Sequence, residues 1–207
     1  MDFSEYTLPK DIKIRKRSIG HRHPAYLIAE IGNNHNGDVD LAFKTISAAS
    51  RAGADAVKFQ RRTVDEVFTK ELLNTPQTHS KILGKTYREY RLAQELTDKE
   101  LAECRNLAHK LDMAFFVTPF DLTSARALAK IGMDAWKVAS FDVSNRPLLE
   151  FIALQNQPIF MSTGMATLDD IDEAIATILP LIVVPVQYVM WQRKMLATKS
   201  PNPSAEA

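Results

Sequence analysis

Apolar positions along this chain change period repeatedly, and each change marks an element. Residues 26–37 read Tyr-Leu-Ile-Ala-Glu-Ile-Gly-Asn-Asn-His-Asn-Gly, a short apolar run that ends in a carboxylate and breaks into glycine and asparagine. Leu27, Ile28 and Ile31 suit a buried strand, and Gly32, Asn33, Asn34, Asn36 and Gly37 carry the turn chemistry that stops it. Asp38 then caps a helix whose apolar positions Val39, Phe43 and Ile46 follow helical spacing and which Gly53 ends. Residues 56–60 alternate: Ala56, Lys58 and Gln60 share one face of a strand, and Val57 and Phe59 share the other.

The plan recurs after a long irregular insertion over residues 61–94, which holds a Thr75-Pro76 turn signal and a short helix around 87–92. Thr97-Asp-Lys-Glu100 forms a capping box, and Leu101, Cys104, Leu107, Ala108 and Leu111 make the apolar stripe of the helix it opens. Strands are predicted over 113–118, 135–139 and 158–161, and helices over 122–131, over 146–154 and from the Thr167 cap through Leu168, Ile171, Ile175 and Ile178. Strand then helix, several times over, predicts a parallel sheet covered by helices. Closure into a barrel gives each strand one lumen face and one helix-covered face. Residues 56–60 and 135–139 show that split, with Ala135, Lys137 and Ala139 set against Trp136 and Val138. The expected fold is therefore α/β, an incomplete (β/α)8 TIM-type barrel of about six strand units.

Residues 1–24 are polar and basic, with a short hairpin expected where Ile12-Lys-Ile-Arg15 alternates and Ser18-Ile-Gly20 offers a turn. The run Arg15-Lys16-Arg17 reads as a solvated hairpin face. No apolar segment there could act as a secretion signal, so a cytoplasmic protein is expected. The barrel portion spans 25–191, and 192–207 is a polar tail expected to be disordered. Residues 174–191 carry no charge and precede basic residues, which raises a membrane-spanning reading. Pro180, Pro185 and the capped helix inside that stretch favour a helix followed by a sixth strand.

Composition adds limits rather than direction. A hydrophobic content of 45% over 207 residues allows one core, and a net charge of +1 gives no bias toward nucleic acid or a membrane surface. The single cysteine, Cys104, lies on an apolar helix face and reads as a buried structural thiol. None of the five histidines has zinc-site spacing, and the first strand is not followed by a dinucleotide-binding glycine pattern.

The candidate chemistry stands at the carboxyl ends of successive strands: Glu30, Lys58 with Gln60, Thr118, Lys137 with Ser140, and Ser162 with Thr163 and Gly164. A carboxylate inside an apolar run needs a partner, so Glu30 is either half of a buried salt bridge or an active-site acid or base. Two lysines and several hydroxyls converging on one barrel mouth form an anion site for phosphate or carboxylate. A Schiff-base role for Lys137 is the competing chemistry.

Five ordered motifs, Ala29-Glu-Ile-Gly-Asn-Asn-His-Asn-Gly37, Ala56-Val-Lys-Phe-Gln60, Thr118-Pro119, Trp136-Lys-Val-Ala-Ser140 and Met161-Ser-Thr-Gly-Met165, resemble the amino half of the sialic acid synthase family, in register over about residues 25–178. The resemblance implies a barrel enzyme that condenses phosphoenolpyruvate with an N-acetylated hexose such as N-acetylmannosamine. Such enzymes use a divalent metal, manganese or magnesium, and release phosphate as a nonulosonic acid forms. It implies that Lys58, Gln60, Thr118, Lys137, Ser140 and Ser162 hold phosphoenolpyruvate, that Glu30 is catalytic, that Asp142 contacts sugar hydroxyls and that His35 has a supporting role. The family assembles as homodimers.

Two departures accompany it. Phe141 stands where the family commonly has glycine, which is expected to crowd the sugar site or shift its specificity, and the sequence after Pro180 is not expected to match. The family's metal-binding histidines, and a small carboxyl-terminal domain that reaches the partner's site, belong to elements not found in this sequence. The expectation is a phosphoenolpyruvate half-site with an incomplete metal site. Two alternatives stand beside it: a non-catalytic truncated fragment or isoform, and a related synthase acting on phosphorylated sugars. The latter predicts an arginine cluster, for which Arg61-Arg62 is the candidate.

Overall fold

The computed structural model describes residues 11–79 and 83–179. A hairpin of β1 (Asp11–Ile14) and β2 (Arg17–Gly20) leads into β3 (Ile28–Gly32), α1 (Val39–Arg51) and β4 (Ala56–Arg61). The insertion follows as three short helices, α2 (Val64–Val67), α3 (Lys70–Leu73) and α4 (Tyr87–Leu92). Then come α5 (Asp98–Lys110), β5 (Ala114–Pro119), α6 (Leu122–Ile131), β6 (Trp136–Val138), α7 (Arg146–Ala153), β7 (Ile159–Met161) and α8 (Leu168–Ile178). Strands β3, β4 and β5 pair in parallel, as do β6 and β7, and the Asp134 N–H donates to the Phe115 carbonyl at 3.1 Å where β5 passes into β6. Apart from the antiparallel hairpin, the described strands form a parallel α/β arrangement and do not close into a barrel.

Local chemistry accounts for the boundaries. Asp38 caps α1 by accepting from the Leu41 N–H at 3.0 Å, the Thr97–Glu100 box opens α5, and Gly132, at φ 87°, ends α6. A second reciprocal box, Thr86 with Glu89, opens α4. Gly37 has no possible replacement: at φ 80° a Cβ would lie 2.0 Å from the Ala93 carbonyl oxygen, where the β3–α1 loop meets the end of α4.

The period-two split predicted for the strands is what divides the core. Val57, Phe59, Phe115, Val117, Trp136 and Val138 face the helices and pack with Leu101, Cys104, Leu128, Leu148 and Ile152. Burial, then the nearby Glu100 and Glu103 charges, push the Cys104 thiol up to about 12, so it is an inert structural thiol as expected. On the opposite face Ala56, Ala114, Phe116 and Ala135 form a second cluster, closed from below by Ile14 of the hairpin.

The hairpin differs from expectation in two ways. Its turn is at Arg15–Lys16, with Arg15 at φ 50°, while Ser18–Gly20 lies within β2. The basic run is solvated as expected at Lys16 and Arg17, but all three of its residues also have acidic partners. Arg15 pairs with Asp134 at 3.7 Å, Lys16 with Asp112 at 2.7 Å and Arg17 with Asp55 at 3.1 Å, and these acids stand just before β6, β5 and β4. Of the first strand's apolar residues only Ile31 is buried. Leu27 and Ile28 are exposed, since β3 has β4 on one side and no strand on the other among the described residues. No described helix is long and apolar enough to cross a membrane. The expected sixth strand and the polar tail lie outside the described residues.

Candidate active site

Register aligns the polar side chains before any contact is considered. Glu30 on β3 stands opposite Lys58 on β4, Lys58 opposite Phe116 on β5, and Lys137 on β6 opposite Phe160 on β7; one layer higher, Gln60 stands opposite Thr118. Alternation turns these residues away from the helices. The lower layer borders a cavity of about 300 Å³ whose polar lining is Glu30, Lys58, Lys137 and Ser162, with Gln60 and Thr118 outside that lining. Its apolar wall includes Phe116 and Phe160, stacked with centroids 5.4 Å apart. That volume suits a small ligand.

Lys58 is 7% exposed, and two partners hold its ammonium: Nζ lies 2.8 Å from Glu30 Oε2 and donates to Thr118 Oγ1 at 2.9 Å. The Glu30 carboxylate is half-exposed at the edge of the cavity, so the buried salt bridge considered from the sequence is buried on its lysine side only. Lys137 Nζ donates to Ser162 Oγ at 2.6 Å and also to the Val138 carbonyl. Burial first, and the Lys58 charge second, lower the Lys137 ammonium to about 8 against the opposing pull of Glu30 and Asp142. Two ammonium groups therefore face one carboxylate in a partly desolvated hollow, leaving positive potential for an anion.

The remaining expected residues stand outside the lining. Gln60 accepts a hydrogen bond from the Arg62 guanidinium, and Ser140 opens a short 3-10 turn, Ser140–Asp142. Asp142 is buried; Oδ1 accepts from Asn145 Nδ2 at 3.0 Å, and Oδ2 has no hydrogen-bond partner among the described residues. Burial raises its carboxyl above the usual range. His35 is structural: buried beside Phe59, its Nδ1 accepts from the Gly37 N–H at 3.1 Å, which leaves the ring proton on Nε2, and burial lowers its pKa.

Sequence reasoning singled out Arg62 and Phe141 for other reasons but missed Phe120 and the stack that joins the three beyond this layer. Arg62 continues the parity of Lys58 and Gln60, and Phe120 that of Phe116 and Thr118. The guanidinium lies 4.3 Å from the Phe120 ring centroid, and Phe120 stacks on Phe141 at 5.5 Å and 18°. Parity carried past the strand end would have revealed Phe120.

The described residues do not fit a divalent metal. No three His, Cys, Asp or Glu side chains among them gather closely enough to hold one, and the single cavity carboxylate is turned to an ammonium.

Comparison with known proteins adds an independent line. A profile described as the NeuB family matches residues 45–198, so the match continues past Pro180, where the sequence reading had it stop. The N-acetylneuraminate-9-phosphate synthase of Mus musculus is 33% identical over 165 residues, covering 80% of this chain and 46% of that protein. The N,N'-diacetyllegionaminic acid synthase of Campylobacter jejuni is 38% identical over 152 residues, covering 72% and 45%. The crystal structure of an N-acetylneuraminic acid (sialic acid) synthetase from Leptospira borgpetersenii in complex with citrate superposes with a TM-score of 0.71 at 30% identity, covering 83% of this chain and 55% of that one. The chain thus spans about half the length of the curated relatives it matches.

Proposed function

The chain belongs to the NeuB family, and on that premise we propose that it is a nonulosonic acid synthase-type sequence whose cavity holds phosphoenolpyruvate, on part of a TIM-type barrel. One observation carries the reading: Lys58 and Lys137 converge on a single small hollow, each already anchored to a hydroxyl. Phosphoenolpyruvate brings about three negative charges, counting its phosphate at about −2. Cations fixed before it arrives stabilise it without reorganisation.

The hydroxyls extend the clamp. Thr118 and Ser162 accept from the lysines through oxygen, so their own O–H groups remain to donate to phosphate or carboxylate oxygens. In the reaction class, the enol carbon of phosphoenolpyruvate attacks an N-acetylated hexose aldehyde, water adds to the resulting cationic centre, and phosphate leaves. Glu30, at the open edge, is the carboxylate placed to take the proton from that water, and Lys58 at 2.8 Å holds it in orientation. Family enzymes use a divalent metal, but the described residues supply no donor set for one, and no step here is assigned to it.

Isothermal titration with phosphoenolpyruvate tests the clamp. Heat that saturates at one site per chain is expected, and none from a protein with a folded circular dichroism spectrum overturns it. A second reading, Lys137 as a Schiff-base nucleophile, draws on its pKa of about 8. At pH 7 that value still leaves about ten ammonium groups for each free amine, and both acceptors on Nζ suit the ammonium. Borohydride treatment with phosphoenolpyruvate or pyruvate should leave the mass of Lys137 unchanged; a stable adduct there favours the nucleophile.

A further inference from the structure

The rim carries information about the acceptor that the anion clamp does not. Alternation on β4 and β5 stacks side chains in layers, Lys58 with Phe116 and then Gln60 with Thr118, and past the strand ends Arg62, Phe120 and Phe141 of the 3-10 turn come together. Phe120 follows directly on β5, its N–H donating to the Arg61 carbonyl at 3.2 Å, two residues beyond the Thr118 that holds Lys58. This group therefore stands beyond the carboxyl ends of β4 and β5, next to Gln60, which accepts from Arg62.

Within it the three side chains form one pile. The Arg62 guanidinium covers one part of Phe120, Phe141 lies nearly parallel to that ring, and Phe141 is 52% exposed. A large aromatic left that open past the carboxyl ends of the strands, while held by stacking, presents a ready apolar face. The rim's charges are spent elsewhere. Arg62 is 8% exposed and bonds to Glu95 at 3.0 Å, Asn33 at 2.9 Å and Gln60, and Arg61 pairs with Asp98 at 3.2 Å. The arginine pair that a phosphorylated acceptor would require is thus neutralised by its own carboxylates.

Resting on the phosphoenolpyruvate reading, we propose that Phe141, backed by Phe120 and Arg62, is the specificity-determining platform for the acceptor, seating the C–H face or acetamido methyl of an unphosphorylated N-acetylated hexose. Offset contact between an aromatic ring and such C–H groups needs no charge. Arg62 is a positioning residue that holds Phe120 flat.

The test separates this inference from the reading beneath it. Phosphoenolpyruvate is titrated first into wild type, F141A and F141W. Affinity equal within two-fold in all three is expected, because Phe141 is above the clamp rather than in it. Loss of binding in every protein overturns the functional reading and the platform with it. With phosphoenolpyruvate saturating, saturation-transfer NMR and titration are then run with N-acetylmannosamine and its 6-phosphate. The expected result is transfer to acetyl and ring C–H protons, an affinity about three- to ten-fold weaker in F141A and preserved in F141W, and no gain from the phosphate. Phosphoenolpyruvate binding retained with sugar affinity indifferent to Phe141, no sugar binding at all, or tenfold tighter binding of the 6-phosphate, each overturns the platform while leaving the clamp intact.

Discussion

The two ends of the parallel strands use the same residue types for opposite purposes. At the amino-terminal end, Arg15, Lys16 and Arg17 meet Asp134, Asp112 and Asp55 one to one, and Ile14 seals the apolar cluster behind them. At the carboxyl-terminal end, Lys58 and Lys137 share a hollow with Glu30 as its one carboxylate. Charges that cancel in pairs fasten a hairpin, whereas an uncancelled cation in a small cavity asks for a ligand. The tell is in Lys137: its own ammonium is held below the ordinary lysine range by burial and by Lys58, a tension that a one-to-one pair would relieve.

The strongest way to break this contrast is to remove one member from each end. Lys58→Met keeps the stem's packing but deletes the buried ammonium. Phosphoenolpyruvate affinity by titration should fall about 100-fold, roughly 3 kcal/mol, with the melting temperature nearly unchanged because Glu30 is left half in water. Ile14→Ala should do the reverse. Truncating a side chain that is 1% exposed should cost ~2 kcal/mol in urea unfolding, near the low end for such changes because the hairpin can settle, and leave affinity alone. An Ile14 variant that loses binding in its folded state would show that the two ends are coupled.

How much of this division could be read from the chain follows from what each feature depends on. Helix starts at Asp38, Thr97 and Thr167, and the inward Ala56, Lys58 and Gln60 against outward Val57 and Phe59, depend on neighbours within a few residues, so local pattern reached them. The grouping of Glu30, Lys58, Lys137 and Ser162 was legible once parallel topology was assumed, since such strands bring their carboxyl ends together. The acids that receive the basic turn were not, because Lys16 finds Asp112 across 96 positions of sequence. The same holds for Leu27 and Ile28, whose apolarity says nothing about which strand edge is covered, and for Asp142, which the turn after β6 buries outside the cavity lining.

Titration sharpens the comparison at the functional end. With its ammonium pKa near 8, Lys137 is charged at pH 7 and mostly neutral at pH 9, so phosphoenolpyruvate should bind about ten-fold more weakly at the higher pH. Stability should move the other way. The folded pKa is depressed from 10.5, so between about 8 and 10.5 the unfolded chain holds a proton that the folded chain has lost, and stability rises with pH across that window. Subtracting the pH profile of Lys137→Met isolates this contribution. If the difference is flat, the ammonium is not desolvated in the way its surroundings indicate.

The smallest effects belong to the paired end, and their ranking follows exposure. Asp55 is nearly buried, accepts from the Leu27 N–H at 2.8 Å and meets Arg17 at 3.1 Å, so Arg17→Ala removes a charge-assisted contact to a carboxylate that water reaches poorly. About 1 kcal/mol should be lost, with the loss shrinking at high salt. Lys16 and Asp112 approach more closely, at 2.7 Å, but their side chains are 74% and 62% exposed. Solvent there competes with the pair, and holding two long-range partners in one geometry costs side-chain entropy, so Lys16→Ala should leave the melting temperature unchanged within error. A measurable drop for Lys16→Ala alongside none for Arg17→Ala would mean that distance, rather than desolvation, ranks these contacts, and the premise separating the two ends would fail where it is easiest to check.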